Sequence, residues 1–260
     1  MRLVDHHGPA LLGGAASVVV AVAAAALTLI AEPSGPRDLV VGGGVPAEVP
    51  VAVAPVAQAL TAVPGQVRPT TPQQGYAGWA AQFAGPTGVP ARALQAYAAA
   101  DARIRVEQPS CGLSWVTLAG IGRIESDHGR YGGRTLLADG TPSTPIIGIA
   151  LDGSRGVAQI ADTDRGVLDG DTRWDRAVGP MQFIPATWAR WGADGDGDGR
   201  ADPQNLDDAA LAAARYLCAS GDDLAQGRGW WDAVLSYNKS AQYATDVLAN
   251  AKAYAARSRG

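Results

Sequence analysis

From Ala10 to Ala31 the chain carries no charged residue, and the run Val18-Val19-Val20-Ala21-Val22 continues to Leu29-Ile30. About twenty apolar residues span a bilayer core as a helix, so this stretch predicts an uncleaved membrane anchor. A cleaved signal peptide is the alternative, and either one exports the rest of the chain. Arg2 against Asp5 gives almost no orientation signal. The pattern then changes. Between Glu32 and Gly75 stand Pro33, Pro36, Pro46, Pro50, Pro55, Pro64, Pro69 and Pro72, with Gly42-Gly43-Gly44 among them. Prolines remove backbone donors and favour extended chain, so this stretch predicts a semi-rigid spacer without a core. Within it, Val51 to Val63 is apolar enough for a short helix or a partner contact. The expected organisation is a membrane segment or signal peptide over 1–31, a linker over 32–75 and a globular domain over 76–260.

From Tyr76 onward the apolar spacing becomes helical. Pro90 to Arg105 predicts a helix with Pro90 in the first turn and Leu94, Tyr97, Ala98 and Ile104 near one face. Trp115 to Ile124 follows, with Ser114 as its predicted cap. Further helices are expected from Pro185 through Trp191, Asp207 to Ala219, Trp230 to Tyr237 and Ser240 to Arg257. Between Gly129 and Ala177 periodicity is lost among Gly, Asp, Thr and Pro, and only Ile146 to Leu151 reads as a short strand. So long an irregular stretch inside a compact domain is usually functional, here a cleft wall. The expected fold is mainly α with a long irregular loop insertion, and about 180 residues leave room for a real core.

Composition narrows the function. The formal net charge is −4 and the pI near 5.3. With no Lys/Arg cluster to neutralise phosphates, nucleic-acid binding is excluded. An anionic cell-wall polymer would have to be held by shape, aromatic rings and hydrogen bonds. The two cysteines, Cys111 before the Trp115 helix and Cys218 near the end of another, predict one bridge in an oxidising compartment; two buried thiols are the alternative.

Glu125 is the principal catalytic candidate. It ends the apolar run Trp115 to Ile124 and is followed at once by Ser126-Asp127-His128-Gly129. A carboxyl group where a buried helix breaks into a loop is partly desolvated, which raises its pKa toward that of a general acid working near neutrality. His128 beside Asp127 resembles a dyad on paper, yet adjacent side chains at a helix end point apart. Asp152, Asp162, Asp164, Asp169, Asp171 and Asp175 read mostly as solvated loop residues, among which one could be a second carboxylate.

Asp194-Gly195-Asp196-Gly197-Asp198-Gly199 places carboxylates at positions 1, 3 and 5 of an EF-hand-type loop with glycine at 6. Arg200 would offer its carbonyl at position 7. At position 12 Asn205 replaces the usual glutamate, leaving Asp208, or Asp202 through water, to complete the set. A weak structural calcium site is the expectation. Nothing in the chain resembles a zinc site, a nucleophile triad or a phosphate loop.

Three segments carry a family resemblance: Ile121 to Gly129 around Glu125, Ala177-Val178-Gly179-Pro180-Met181-Gln182-Phe183-Ile184-Pro185-Ala186-Thr187-Trp188, and Ala233-Val234-Leu235-Ser236-Tyr237-Asn238. Their order and spacing resemble lytic murein transglycosylases, the transglycosylase B type, over roughly Ala98 to Tyr254. The resemblance implies a lysozyme-like α-helical domain that cleaves the β-1,4 bond between N-acetylmuramic acid and N-acetylglucosamine in peptidoglycan glycan strands. It implies Glu125 as acid and then base, 1,6-anhydro product ends and no catalytic cofactor. Gln182, Phe183, Tyr237 and Asn238 would then meet the sugar, and Ser126 would steady the Glu125 carboxylate. Met181 and Phe183 fit core packing equally well. A lysozyme-type hydrolase and a non-catalytic cell-wall-binding module are the competing readings. Localisation would be extracytoplasmic, anchored or secreted into the wall, with other cell-wall enzymes as candidate partners.

Overall fold

The computed structural model describes residues 44–55 and 71–259. The predicted membrane segment and most of the linker lie outside the described residues. Among those described, no helix is long and apolar enough to cross a membrane. The fold is mainly helical, as expected: α1 (Ala77–Thr87), α2 (Ala91–Glu107), α3 (Trp115–Ser126), α4 (Pro185–Trp191), α5 (Leu206–Ser220), α6 (Gly227–Tyr237) and α7 (Ala241–Arg257). A 3-10 turn, Pro72–Tyr76, leads into α1.

α3 is the buried centre. Ten of its residues are buried, from Trp115 through Gly122 and then Glu125 and Ser126. A helix apolar on every side must be covered on every side. Its glycines let the neighbours come close: a Cβ on Gly120 would lie 2.8 Å from the Val247 carbonyl of α7, and one on Gly122 would overlap the Tyr97 hydroxyl of α2. α2 in turn packs on α5, which it also grips by a partly buried bidentate ion pair between Arg92 and Asp207. Cys111 and Cys218 are bridged, joining the loop before α3 to α5 across a sequence separation of 107. Closing so long a loop is worth roughly 4–5 kcal/mol in the chain-entropy description.

Ser114 stands at the N-cap position of α3 but does not cap it. Its hydroxyl instead donates to the Ala52 carbonyl at 2.7 Å and accepts from the Ala52 N–H at 3.1 Å. The orphan Trp115 N–H goes to Asp101 of α2 at 3.2 Å. Part of the proline-rich stretch is therefore docked on the domain rather than free of it. Val49 and Ala52 pack against the core, and Ala54 is buried. Small residues point inward while Val51 and Val53 face out, the period-two alternation of extended chain.

Between α3 and α4 the predicted strand appears as β1 (Ile147–Ala150), paired antiparallel with β2 (Arg176–Val178), Ile147 opposite Val178. β2 was not predicted: three residues leave too short a pattern. The stretch between the strands is held by its own carboxylates. Asp162 accepts from the N–H groups of Asp164 and Gly166, Asp164 from Val167 and Leu168, Asp171 from Arg173 and Trp174, and Asp175 from Thr163. These side chains supplement a sparse set of backbone pairs, among them Asp162 N–H to the Arg173 carbonyl and Asp175 N–H to the Ile160 carbonyl. Most are therefore turn formers rather than merely solvated groups.

Candidate active site

α3 stops in a sharp left-handed turn. Asp127 and His128 both have positive φ, 51° and 59°, before Gly129 at 84°. The His128 N–H closes back on the Gly122 carbonyl at 2.8 Å, the helix-end motif that satisfies otherwise orphaned carbonyls. Two consecutive non-glycine residues in this region cost free energy, and the side chain of His128 offsets it. Its ring is buried between the hydroxyls of Tyr97 on α2 at 3.1 Å and Tyr254 on α7 at 3.3 Å. Burial pushes its pKa down to about 3, so it is a neutral packing residue. Asp127 turns outward to Arg123 and Arg130. No His–Asp dyad forms, in line with the sequence reading.

Glu125 lies one residue before the end of α3, on its buried side. It is 5% exposed. One carboxyl oxygen accepts from the Tyr243 hydroxyl at 2.5 Å. The other, Oε2, is buried with no partner in the protein. Burial raises its pKa from 4.5 to about 8, and the Tyr243 bond holds the rise back. No second carboxylate among the described residues acts on it. The proton therefore stays on Glu125 through neutral pH, where a general acid needs it.

Tyr243 was missed by the sequence reading. It sits in the first turn of α7, 118 residues from Glu125, and nothing local distinguishes it from a core tyrosine. Its position is fixed by Ser240, whose hydroxyl accepts from the Tyr243 N–H and caps α7. Asn238, two residues before that cap, accepts from the Ser240 N–H with its amide oxygen at 3.0 Å. Its Nδ2 is buried and unpartnered. Tyr237 is close enough for the Glu125 charge to push its pKa up, after burial itself, and its hydroxyl donates to the Met181 carbonyl at 2.7 Å. The structure thus brings Glu125, Tyr237 and Asn238 to one end of α3, α6 and α7.

The other predicted residues serve mainly to build that end. Ser126 does not bond Glu125: its hydroxyl donates to the Pro180 carbonyl at 2.6 Å and accepts from the Gly129 N–H at 2.8 Å. It pins the Gly179-Pro180 turn to α3. Gln182 is buried with φ of 52°, and its amide donates to the Gly179 carbonyl at 2.9 Å. Its Nε2 is thus used on its own turn, while its Oε1 faces Gly148 of β1. Gly179 is required there, since a Cβ would overlap the Pro203 carbonyl. The Phe183 ring meets Trp188 and Tyr237 edge-on, at 5.4 and 5.9 Å between centroids. Met181 and Phe183 are core residues, the alternative the sequence left open.

The acidic loop is built on α5. Oxygens of Asp194, Asp196 and Asp208 lie within 4.8 Å of one another. Asp208 is pushed up to about 6 by burial and by the Asp196 charge. Three crowded carboxylates with one buried are a donor set that fits a hard divalent cation. The remaining predicted ligands are placed differently. Asp198 and Arg200 bond each other through the Arg200 N–H, and Asn205 caps α5 with its oxygen while its Nδ2 donates to Asp196 at 2.7 Å. Asp208, in the first turn of α5, joins the aspartates instead, and its carboxylate accepts from the Gly195 and Asp202 N–H groups of the loop.

Residues 160–231 match the family described as the transglycosylase SLT domain. The match takes in Gln182, Phe183 and the acidic loop, and it falls between Glu125 and Asn238. No curated protein matches the chain in sequence. Among solved structures, the Escherichia coli lytic transglycosylase SLT35 in complex with bulgecin A is similar at 13% identity and a TM-score of 0.42, over 70% of this chain and 78% of that one. SltB3 from Pseudomonas aeruginosa, in complex with NAG-anhNAM-pentapeptide, is similar at 20% identity and 0.40, over 72% and 67%. SLT35 in complex with calcium is similar at 13% and 0.42, over 70% and 79%. Likeness at this level carries nothing about individual residues. What the comparisons establish is a segment, residues 160–231, that carries the sequence signature of a transglycosylase SLT domain.

Proposed function

We propose that this enzyme cleaves the β-1,4 bond between N-acetylmuramic acid and N-acetylglucosamine without water, leaving 1,6-anhydro ends, with Glu125 as acid and then base. The observation that carries the reading is the Glu125 carboxyl: buried, protonated through neutrality, fixed on one oxygen by Tyr243 and open on the other. In the first step Glu125 gives its proton to the glycosidic oxygen and the C1–O bond breaks. The substrate's own 2-acetamido group stabilises C1, which suits a site where a second carboxylate does not act on the first. In the second step the ionised Glu125 takes the proton of the C6 hydroxyl as that oxygen bonds C1. The carboxyl ends protonated, ready for another cycle. Tyr243 favours the charged form between the two steps, since a hydrogen bond to a carboxylate stabilises it. The unpartnered Nδ2 of Asn238 is offered to a substrate acetamido or hydroxyl oxygen.

Asp194, Asp196 and Asp208 would hold a structural calcium ion, which would relieve their mutual repulsion and take no part in the chemistry. The enzyme would work outside the cytoplasm, held to the membrane by its first residues or released into the wall, alongside other wall enzymes. Mass spectrometry of the products from purified murein tests the central reading. Ends one water lighter than reducing ends are expected; reducing ends alone would make the enzyme a hydrolase.

A further inference from the structure

The 3-10 turn Pro72–Tyr76, where the chain joins α1, reaches the acidic loop through one residue. Gln73 is 2% exposed, although the sequence around it is proline-rich and polar. Its Nε2 donates to the Gly195 carbonyl at 2.7 Å, across 122 positions in sequence. Its Oε1 is buried with no partner. The peptide unit it meets is held from the other side as well: the Gly195 N–H donates to Asp208 Oδ1 at 2.6 Å. Gly195 leaves no room for a side chain, since a Cβ would overlap the Asp207 carbonyl. One residue of the loop is thus fixed at its N–H by a carboxylate of the cation cluster and at its C=O by the amide of the N-terminal turn.

Burying an amide with one acceptor unsatisfied is costly, and a polar group kept at that cost calls for a specific reason, a bound ion being one. Here the amide leans on the loop whose carboxylates crowd together. We propose that Gln73 couples cation binding at Asp194, Asp196 and Asp208 to docking of the N-terminal turn, so that a divalent cation fastens the linker-proximal end of the domain. The coupling follows from geometry. Without a cation the three carboxylates repel and strain the loop about Asp208. With one bound, Asp208 is drawn in, and the Gly195 peptide it holds is fixed in the orientation that Gln73 grips. Coupling is reciprocal, so the turn must in return raise cation affinity. A cation abundant outside the cell would then tighten the junction after export. The inference rests on the calcium reading above.

Hydrogen exchange of the full chain, with calcium and with chelator, tests both and separates them. Gln73→Met keeps the shape of the side chain and loses the amide. In the parent, calcium is expected to slow exchange over 194–208 and over 72–87 together. In Gln73→Met it should slow the loop alone, with calcium affinity by titration calorimetry lowered about fivefold or more, the usual scale of such coupling. Slowing of 72–87 that survives in Gln73→Met, or a parent in which only the loop responds, overturns the coupling and leaves the calcium site standing. No heat and no slowing in either segment removes the calcium site and the coupling with it.

Discussion

Replacing Glu125 with glutamine should stop cleavage and stabilise the enzyme, by an amount that depends on pH. Burial raises the Glu125 pKa from 4.5 to about 8. The unfolded chain ionises at the ordinary value, so across that interval the unfolded state gives up a proton that the native state keeps. Stability then falls by ~1.4 kcal/mol per pH unit. The contribution is whole below pH 4.5 and gone above about 8. The full drop is about 5 kcal/mol, and at pH 7 about 3 kcal/mol of it has accrued. Glu125→Gln cannot ionise, and its amide oxygen still accepts from Tyr243. The variant should match the parent within about 1 kcal/mol at pH 4.5 and exceed it by about 3 kcal/mol at pH 7. For a domain of this size that is roughly 6–12 °C in Tm. Urea denaturation followed by tryptophan fluorescence, disulfide intact, reads the difference, and murein digestion reads a rate reduced about 10³-fold or more. A stability gap that stays constant between the two pH values would refute the buried, protonated carboxyl. The mechanism would fall with it.

Tyr243→Phe removes the one bond that holds the Glu125 pKa down. The high-pH limb of kcat/KM should move upward while the maximum rate falls about tenfold or more, as the ionised intermediate loses its donor; an unmoved limb argues against the contact. Asn238→Ala should lower kcat/KM for murein by about 10- to 100-fold, mostly in KM, through the lost substrate hydrogen bond. Equal loss on fragments lacking the acetamido group would assign that effect to α7 capping. A chain beginning at residue 56 loses the reciprocal Ala52–Ser114 bonds and the burial of Ala54. It should be less stable by about 2 kcal/mol or more in urea; unchanged stability would mean that residues 44–55 are a passive lead. Reduction of the Cys111–Cys218 bridge should cost roughly 4–5 kcal/mol by the same assay, and a small shift would point to residual order in the reduced unfolded chain.

What the sequence made legible was what local pattern encodes. Six of the seven helices follow from apolar spacing, and Glu125 is marked by its place where a buried helix meets Asp127-His128-Gly129. α1 was overlooked because Pro86 stands inside it and its apolar face is weak. The docking of residues 44–55 was invisible for another reason. Eight prolines and a glycine run argue for a spacer, yet an extended segment needs no core of its own when a serine hydroxyl and a carboxylate on α2 supply its hydrogen bonds. Ser114 does so from a position read as a helix cap, and Asp101, unremarked in the sequence, accepts from the Ala54 N–H. Ser126 was expected to steady the Glu125 carboxylate as its neighbour, and Gln182 to meet the sugar as an amide beside Phe183. In the structure the Ser126 hydroxyl and the Gln182 Nε2 bond the Gly179-Pro180 turn, a long-range tie that neither local pattern encodes.

The two orphaned atoms of the site suggest why these helix ends were brought together. Glu125 Oε2 and Asn238 Nδ2 are buried without partners, and each such atom costs roughly 1–3 kcal/mol. In both side chains the other polar atom is fixed, Oε1 by the Tyr243 hydroxyl and Oδ1 by the Ser240 N–H. Both fixing groups belong to the N-terminal turn of α7. One capped helix start therefore aims an acid and a donor at once, leaving one free atom on each. Neither side chain has to reorganise when a sugar arrives, and it is in removing that reorganisation that a preorganised site lowers a barrier. In the proposed mechanism a tyrosine three residues past a serine cap, invisible as chemistry in the sequence, is the group that would let a buried glutamate act first as acid and then as base.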